Sequence, residues 1–90
     1  MNPVRVHVTV TGRVQGVFFR DSCREHARTE RVGGYVRNRA DGSVEAEFEG
    51  PPDPVARMVA WCRRGPSRAR VDDVAVTEIA ALGETNFRVR

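Results

Sequence analysis

The chain has 90 residues and a mass of 10.1 kDa, which is room for one domain with one core. Its residues are 40% hydrophobic and 30% charged, with both signs interspersed, and this excludes a disordered polyelectrolyte. No run approaches the ~18 apolar residues of a membrane span, and a net charge of +3 is too small to imply nucleic acid by itself.

The first ten residues, MNPVRVHVTV, alternate polar and apolar and contain no apolar run of the secretory kind, so a cytoplasmic protein is expected. All positive side chains are Arg and none is Lys; a coding bias and a demand for planar anion-binding forks both give this pattern. The first half, residues 1–45, holds eight Arg against five acidic residues, whereas the second half is balanced. An anion site is therefore expected in the first half. Cys23 and Cys62 have no neighbour at zinc-ligand or C-x-x-C spacing. They read as small buried residues of a reducing compartment, or as one disulfide if their Cα atoms come within about 7 Å.

Val4, Val6, Val8 and Val10 alternate with Arg5, His7, Thr9 and Thr11, the period-2 pattern of a half-buried strand. Residues 12–20, Gly-Arg-Val-Gln-Gly-Val-Phe-Phe-Arg, have no clean period and read as a loop. Asp21 or Ser22 can cap a helix running to about Arg31, with a thin stripe of Cys23 and Ala27. After Gly33-Gly34 a second strand begins at Tyr35 and ends near Arg39. Asp41-Gly42 is a hairpin signal, and the strand returning over Ser43–Glu49 places Val44, Ala46 and Phe48 opposite Glu45, Glu47 and Glu49. Asp53 as cap and Pro54 at the first position start a second helix, with Val55, Met58, Val59 and Cys62 on one face and an end near Gly65-Pro66. Val71–Ile79 is a fourth strand in which Val71 is out of phase with Val74 and Val76, which predicts an irregularity near Asp72-Asp73. Phe87 and Val89 mark a short last strand. The order β-α-β-β-α-β predicts a single α+β domain over residues 1–90. It is a ferredoxin-like sandwich of an antiparallel sheet with two helices packed on one face.

Chemistry is expected between Gly12 and Arg20, where a glycine-containing loop runs from a strand into a helix. Unpaired N–H groups at a helix start attract anions, a bent loop aims further N–H groups at one point, and Arg20 can grip two oxygens of a phosphate with its fork. Spacing alone leaves a bland reading open, in which Gly12 and Gly16 make a tight connection and Phe18 and Phe19 plug the core. The loop lacks the closing Gly-Lys-Ser/Thr of a nucleotide-binding P-loop. His7 and His26 read as isolated exposed residues, Glu45, Glu47 and Glu49 as solvated surface that would also guard against edge association if their strand is an edge, and Met58 and Trp61 as packing residues.

Gly-Arg-Val-Gln-Gly-Val-Phe-Phe-Arg at 12–20 resembles the acylphosphatase signature. Gly34-Tyr35-Val36-Arg37-Asn38 followed by Asp41-Gly42-Ser43-Val44-Glu45 resembles its second motif, and the likeness extends through Ala69-Arg70-Val71-Asp72 to Phe87-Arg88-Val89-Arg90. The resemblance implies a hydrolase of acyl phosphates. The backbone of Gln15, Gly16, Val17, Phe18, Phe19 and Arg20 would cradle the phosphoryl group, the Arg20 guanidinium would bind its oxygens, and Asn38 would position the attacking water. It implies no cofactor and no metal, a small acyl phosphate as substrate, inorganic phosphate as product and inhibitor, no nucleic acid, no membrane, and a monomer. Tyr35 stands where the family usually has Trp, and Arg39 where some members carry a small hydroxyl residue. The competing reading is a ferredoxin-like RNA- or anion-binding module without catalysis, which would need aromatics on the open sheet face; only Tyr35 is a candidate, since Phe48 and Phe87 lie in phase with core valines. A third reading, a regulatory or metal-carrying domain, lacks a ligand cluster.

Overall fold

The computed structural model describes residues 2–90. The elements, in chain order, are β1 (Val4–Arg13), α1 (Phe19–Glu30), β2 (Gly33–Asn38), β3 (Val44–Gly50), α2 (Pro52–Arg64), β4 (Arg70–Ile79) and β5 (Phe87–Val89). The sheet order is β4-β1-β3-β2-β5. The pairs β1–β3, β1–β4 and β2–β3 are antiparallel, as the hairpin signal and alternation predict; only β5 departs, lying parallel to β2. This is the ferredoxin-like α+β sandwich, with its sheet mixed at the last pair.

Period-2 alternation decides which face is dry. Val8, Val10, Val36, Val44, Ala46 and Phe48 are fully buried, and α1 and α2 cover them with Phe19, Cys23 and Ala27 and with Val55, Met58, Trp61 and Cys62. Phe19 and Trp61 meet at 5.0 Å between centroids, and Phe48 stacks on Phe87 at 5.7 Å. Both thiols, Cys23 and Cys62, are free and buried. Burial first, and the neighbouring Cys62 second, push the Cys23 thiol up.

The expected irregularity in β4 is a register shift: Thr11 faces Asp73 whereas Gly12 faces Val71, so Asp72 is the extra residue. Gly12 has φ +125, and a Cβ there would stand 2.2 Å from the Arg70 carbonyl oxygen. Only glycine fits that close approach.

Four expectations need correction. Neither helix starts on a polar side-chain cap. The residue before α1 is Phe18, in the left-handed region, and the residue before α2 is Pro51, so both helices begin earlier than Asp21, Ser22 or Asp53 would set them. Second, the condition for the glutamates to guard an edge is not met, since β3 lies between β1 and β2. Third, the glutamate face is not simply solvated. Arg5 is 1% exposed and donates from Nε to Glu47 at 2.7 Å, from Nη1 to Glu49 at 2.8 Å and from Nη2 to Glu84 at 2.7 Å. Glu49 also accepts the N–H groups of Leu82 and Gly83. Burial alone would raise the Glu49 carboxyl; those two N–H groups and Arg5 outweigh it and hold it below its ordinary value. His7 likewise is not isolated: its Nε2 is 2.7 Å from Glu45, which also pairs with Arg37. Among the described residues no helix is long and apolar enough to cross a membrane.

Candidate active site

The β1–α1 loop and the β2–β3 hairpin meet at one end of the sheet. Asn38 is the last residue of β2, in phase with Gly34 and Val36 and facing Val44 across the ladder. It therefore continues the helix-covered face to the sheet's end, where a polar residue takes the place of a valine. The hairpin tip is closed by Asp41, whose Oδ1 accepts the N–H of Ser43 at 2.9 Å and its hydroxyl at 2.6 Å. The Gln15 side-chain amide donates to the carbonyl oxygens of Arg39 and Ser43 at 2.7 and 2.9 Å. This clamp fixes the loop relative to Asn38.

The loop turns on Gly16, at φ +73, and on Phe18, at φ 64 and ψ 25. Val14, Val17 and Phe19 anchor it in the core at 3% exposure or less, while Phe18 stays 65% exposed. Of the two phenylalanines, then, only Phe19 is the expected core plug. Among the described residues, no backbone or side-chain acceptor pairs with the N–H groups of Gly16 to Arg20. Helix α1 starts there with the positive end of its dipole.

A cavity of about 280 Å³ opens at this point, lined by Val14, Gly16, Phe18, Phe19, Arg20, Asp21 and Asn38. Arg20 lies in the first turn of α1, exposed and without an ion-pair partner among the described residues. Of the residues singled out in the sequence, Gly16, Phe18, Phe19, Arg20 and Asn38 come together on this cavity. Gln15 and Val17 support it from outside, one by the hairpin clamp and one by packing. Val14 and Asp21 were not anticipated on the lining. Val14 sits inside the motif, which is the signal for it, whereas Asp21 carried only a helix-cap signal. A second cavity, of about 390 Å³ and lined by Arg13, Gly16, Val17 and Arg68, borders the first at Gly16. Among the described residues no three His, Cys, Asp or Glu side chains converge as metal ligands would.

The open face of the sheet does not offer a base-stacking platform. Tyr35, its one aromatic, is 7% exposed, donates its hydroxyl to Glu47 at 3.1 Å and lies under the Arg90 guanidinium at 4.2 Å. The cations of this face are engaged, Arg5 by Glu47, Glu49 and Glu84 and Arg37 by Glu45, so they are not free to take a phosphate backbone. The RNA-binding alternative is not favoured.

The acylphosphatase family model matches residues 6–89. The chain is 51% identical over 86 residues to an acylphosphatase from Gloeobacter violaceus, covering 96% of this chain and 92% of that one. It is 55% identical over 87 residues to one from Rubrobacter xylanophilus, covering 96% and 79%. Its fold superposes on the solved structure of an acylphosphatase from Coxiella burnetii with a TM-score of 0.94 at 40% identity, covering 99% and 94% of the two chains. With the two motifs at the ends of β1 and β2 and the match spanning the whole sheet, this chain belongs to the acylphosphatase family.

Proposed function

We propose that this acylphosphatase-family hydrolase cleaves the carboxyl–phosphate bond of a small acyl phosphate in the cavity between the β1–α1 loop and Asn38. One observation carries the assignment of roles: unpaired loop N–H groups, the free Arg20 guanidinium and the Asn38 amide all border one small cavity. The phosphoryl oxygens take the N–H groups of Gly16 to Arg20 and the fork of Arg20. The Asn38 amide oxygen accepts a hydrogen bond from the attacking water and orients it. The water oxygen bonds to phosphorus, the bond from phosphorus to the acyl oxygen breaks, and the carboxylate leaves with the electron pair. Such a leaving group has a pKa near 4, so it requires no general acid. A loose phosphoryl-transfer transition state requires positioning and charge stabilisation more than a strong base. Neither Arg20 nor Asn38 can take a proton, so the water's proton passes to a phosphate oxygen, and the products are the carboxylate and inorganic phosphate.

The test is turnover of acetyl phosphate by the purified chain in excess EDTA, followed by phosphate release across pH. The expected result is fast release, unaffected by the chelator, with a pH profile set by ionisation of the substrate. No release above the spontaneous rate by folded protein would remove the assignment. A chelator-sensitive rate, or one governed by a titrating side chain, would remove the mechanism.

A further inference from the structure

Phe18 carries two costs that the turn of the phosphate loop does not require of a phenyl side chain. Its ring is 65% exposed, and its backbone sits in the left-handed region that bulky residues avoid. Arg31, the other such non-glycine residue, ends α1, where that conformation closes the helix: its N–H bonds to the Ala27 and Arg28 carbonyl oxygens. Phe18 precedes a helix, where an extended residue with a polar side chain is the rule. Glycine or asparagine would make the same turn without either cost, so the ring itself calls for a reason. Strained residues of this sort gather at ligand sites.

The turn separates two adjacent rings. Phe19 goes into the core against Trp61, and Phe18 is left on the wall of the cavity that holds Arg20 and Asn38. If the phosphoryl group occupies the loop N–H groups and Arg20, the acyl group projects from the cradle toward the remaining wall. That wall offers an apolar ring and the Asp21 carboxylate, whose side chain is 66% exposed with Arg24 3.6 Å away. A carboxylate there disfavours a second negative charge on the acyl group.

Resting on the reading of the cavity given above, we infer that Phe18 is a specificity-determining residue. Its ring holds the acyl group, and the enzyme prefers acyl phosphates of neutral, apolar and above all aromatic carboxylic acids. The neighbouring cavity with Arg13 and Arg68 would favour the opposite class, acyl groups bearing a second anion.

The experiment measures kcat and KM for benzoyl, acetyl and succinyl phosphate with the wild type, Phe18→Leu and Phe18→Asn, and the competitive inhibition constant of inorganic phosphate for each. Asn tolerates the left-handed turn, so Phe18→Asn removes the ring while keeping the loop. The wild type is expected to rank benzoyl above acetyl above succinyl phosphate in kcat/KM. Phe18→Asn should narrow the benzoyl-to-acetyl ratio by about fivefold to tenfold, chiefly through KM, as loss of an aromatic contact does. Phe18→Leu should fall between the two. Equal losses for benzoyl and acetyl phosphate would overturn the inference and leave Phe18 a loop-shaping residue. Preference for succinyl phosphate would overturn it in favour of the Arg13–Arg68 cavity. Turnover of acetyl phosphate with an unmoved ratio sinks this inference alone, whereas no turnover and no phosphate inhibition sinks the reading of the cavity with it.

Discussion

The two faces of the sheet treat charge in opposite ways. On the open face every acidic group near Arg5 is answered: one guanidinium serves Glu47, Glu49 and Glu84, and Glu45 sits between His7 and Arg37. At the end of the helix-covered face, Arg20 has no carboxylate partner, the loop N–H groups have no acceptor, and an aromatic ring faces solvent among the described residues. Answered charge ties neighbouring strands together; unanswered charge is available to a ligand. The residue type is the same in both places, so Arg content alone distinguishes nothing.

That contrast can be broken from either side. Arg20→Ala should have the largest effect, roughly a thousandfold or more loss of turnover, with the urea midpoint almost unmoved because the side chain is exposed and unpaired. A large fall in stability, or near-wild-type rates, would take Arg20 out of the site. Arg5→Met should do the reverse. It keeps the packing volume but leaves Glu49 buried with only two N–H partners, and a loss of about 3 kcal/mol in denaturant unfolding is expected, while the folded fraction keeps its kcat. Asn38→Ala should lower kcat by about a hundredfold and weaken phosphate inhibition far less, since it acts on water; equal losses would reassign it to binding.

The smallest effect sharpens the contrast by pH. The His7 hydrogen bond first, and Arg37 next, lower the Glu45 carboxyl from the ordinary 4.5 to about 2, against the opposing pull of burial. A carboxyl depressed in the folded state stabilises the fold above its unfolded value and loses that contribution as pH falls toward the folded one. The urea midpoint should therefore decline between about pH 4.5 and 2, and Glu45→Gln should flatten part of that decline. An unchanged acid limb in Glu45→Gln would show that the ladder is not coupled to folding.

Much of this was legible along the chain. The seven elements and their order follow from the alternation of Val4–Val10 and Val44–Phe48, the stripe of Val55, Met58 and Cys62, and the turn residues Asp41-Gly42. Arg20 and Asn38 were marked by motif, and their meeting on one cavity agrees with it. The helix starts were misplaced because local polar caps were expected where the chain uses a left-handed Phe18 and a Pro51. Burial of Arg5 was illegible for a different reason. Its partners lie 42, 44 and 79 residues away, and only the strand order brings β1 beside β3 and Glu84 to that corner. Exposure of Phe18 beside buried Phe19 was also hidden, because two adjacent identical residues carry no signal for which of them the turn will expose.

The most direct test of the division between the faces is an amide NMR titration of the chain with inorganic phosphate, with the arginine Nε–H signals followed alongside. The account predicts saturable shifts concentrated in Gly16–Arg20, Asn38 and the Arg20 Nε–H, with the Arg5 Nε–H unmoved. Shifts centred on β3 and Arg5, or none at phosphate concentrations that inhibit turnover, would contradict it.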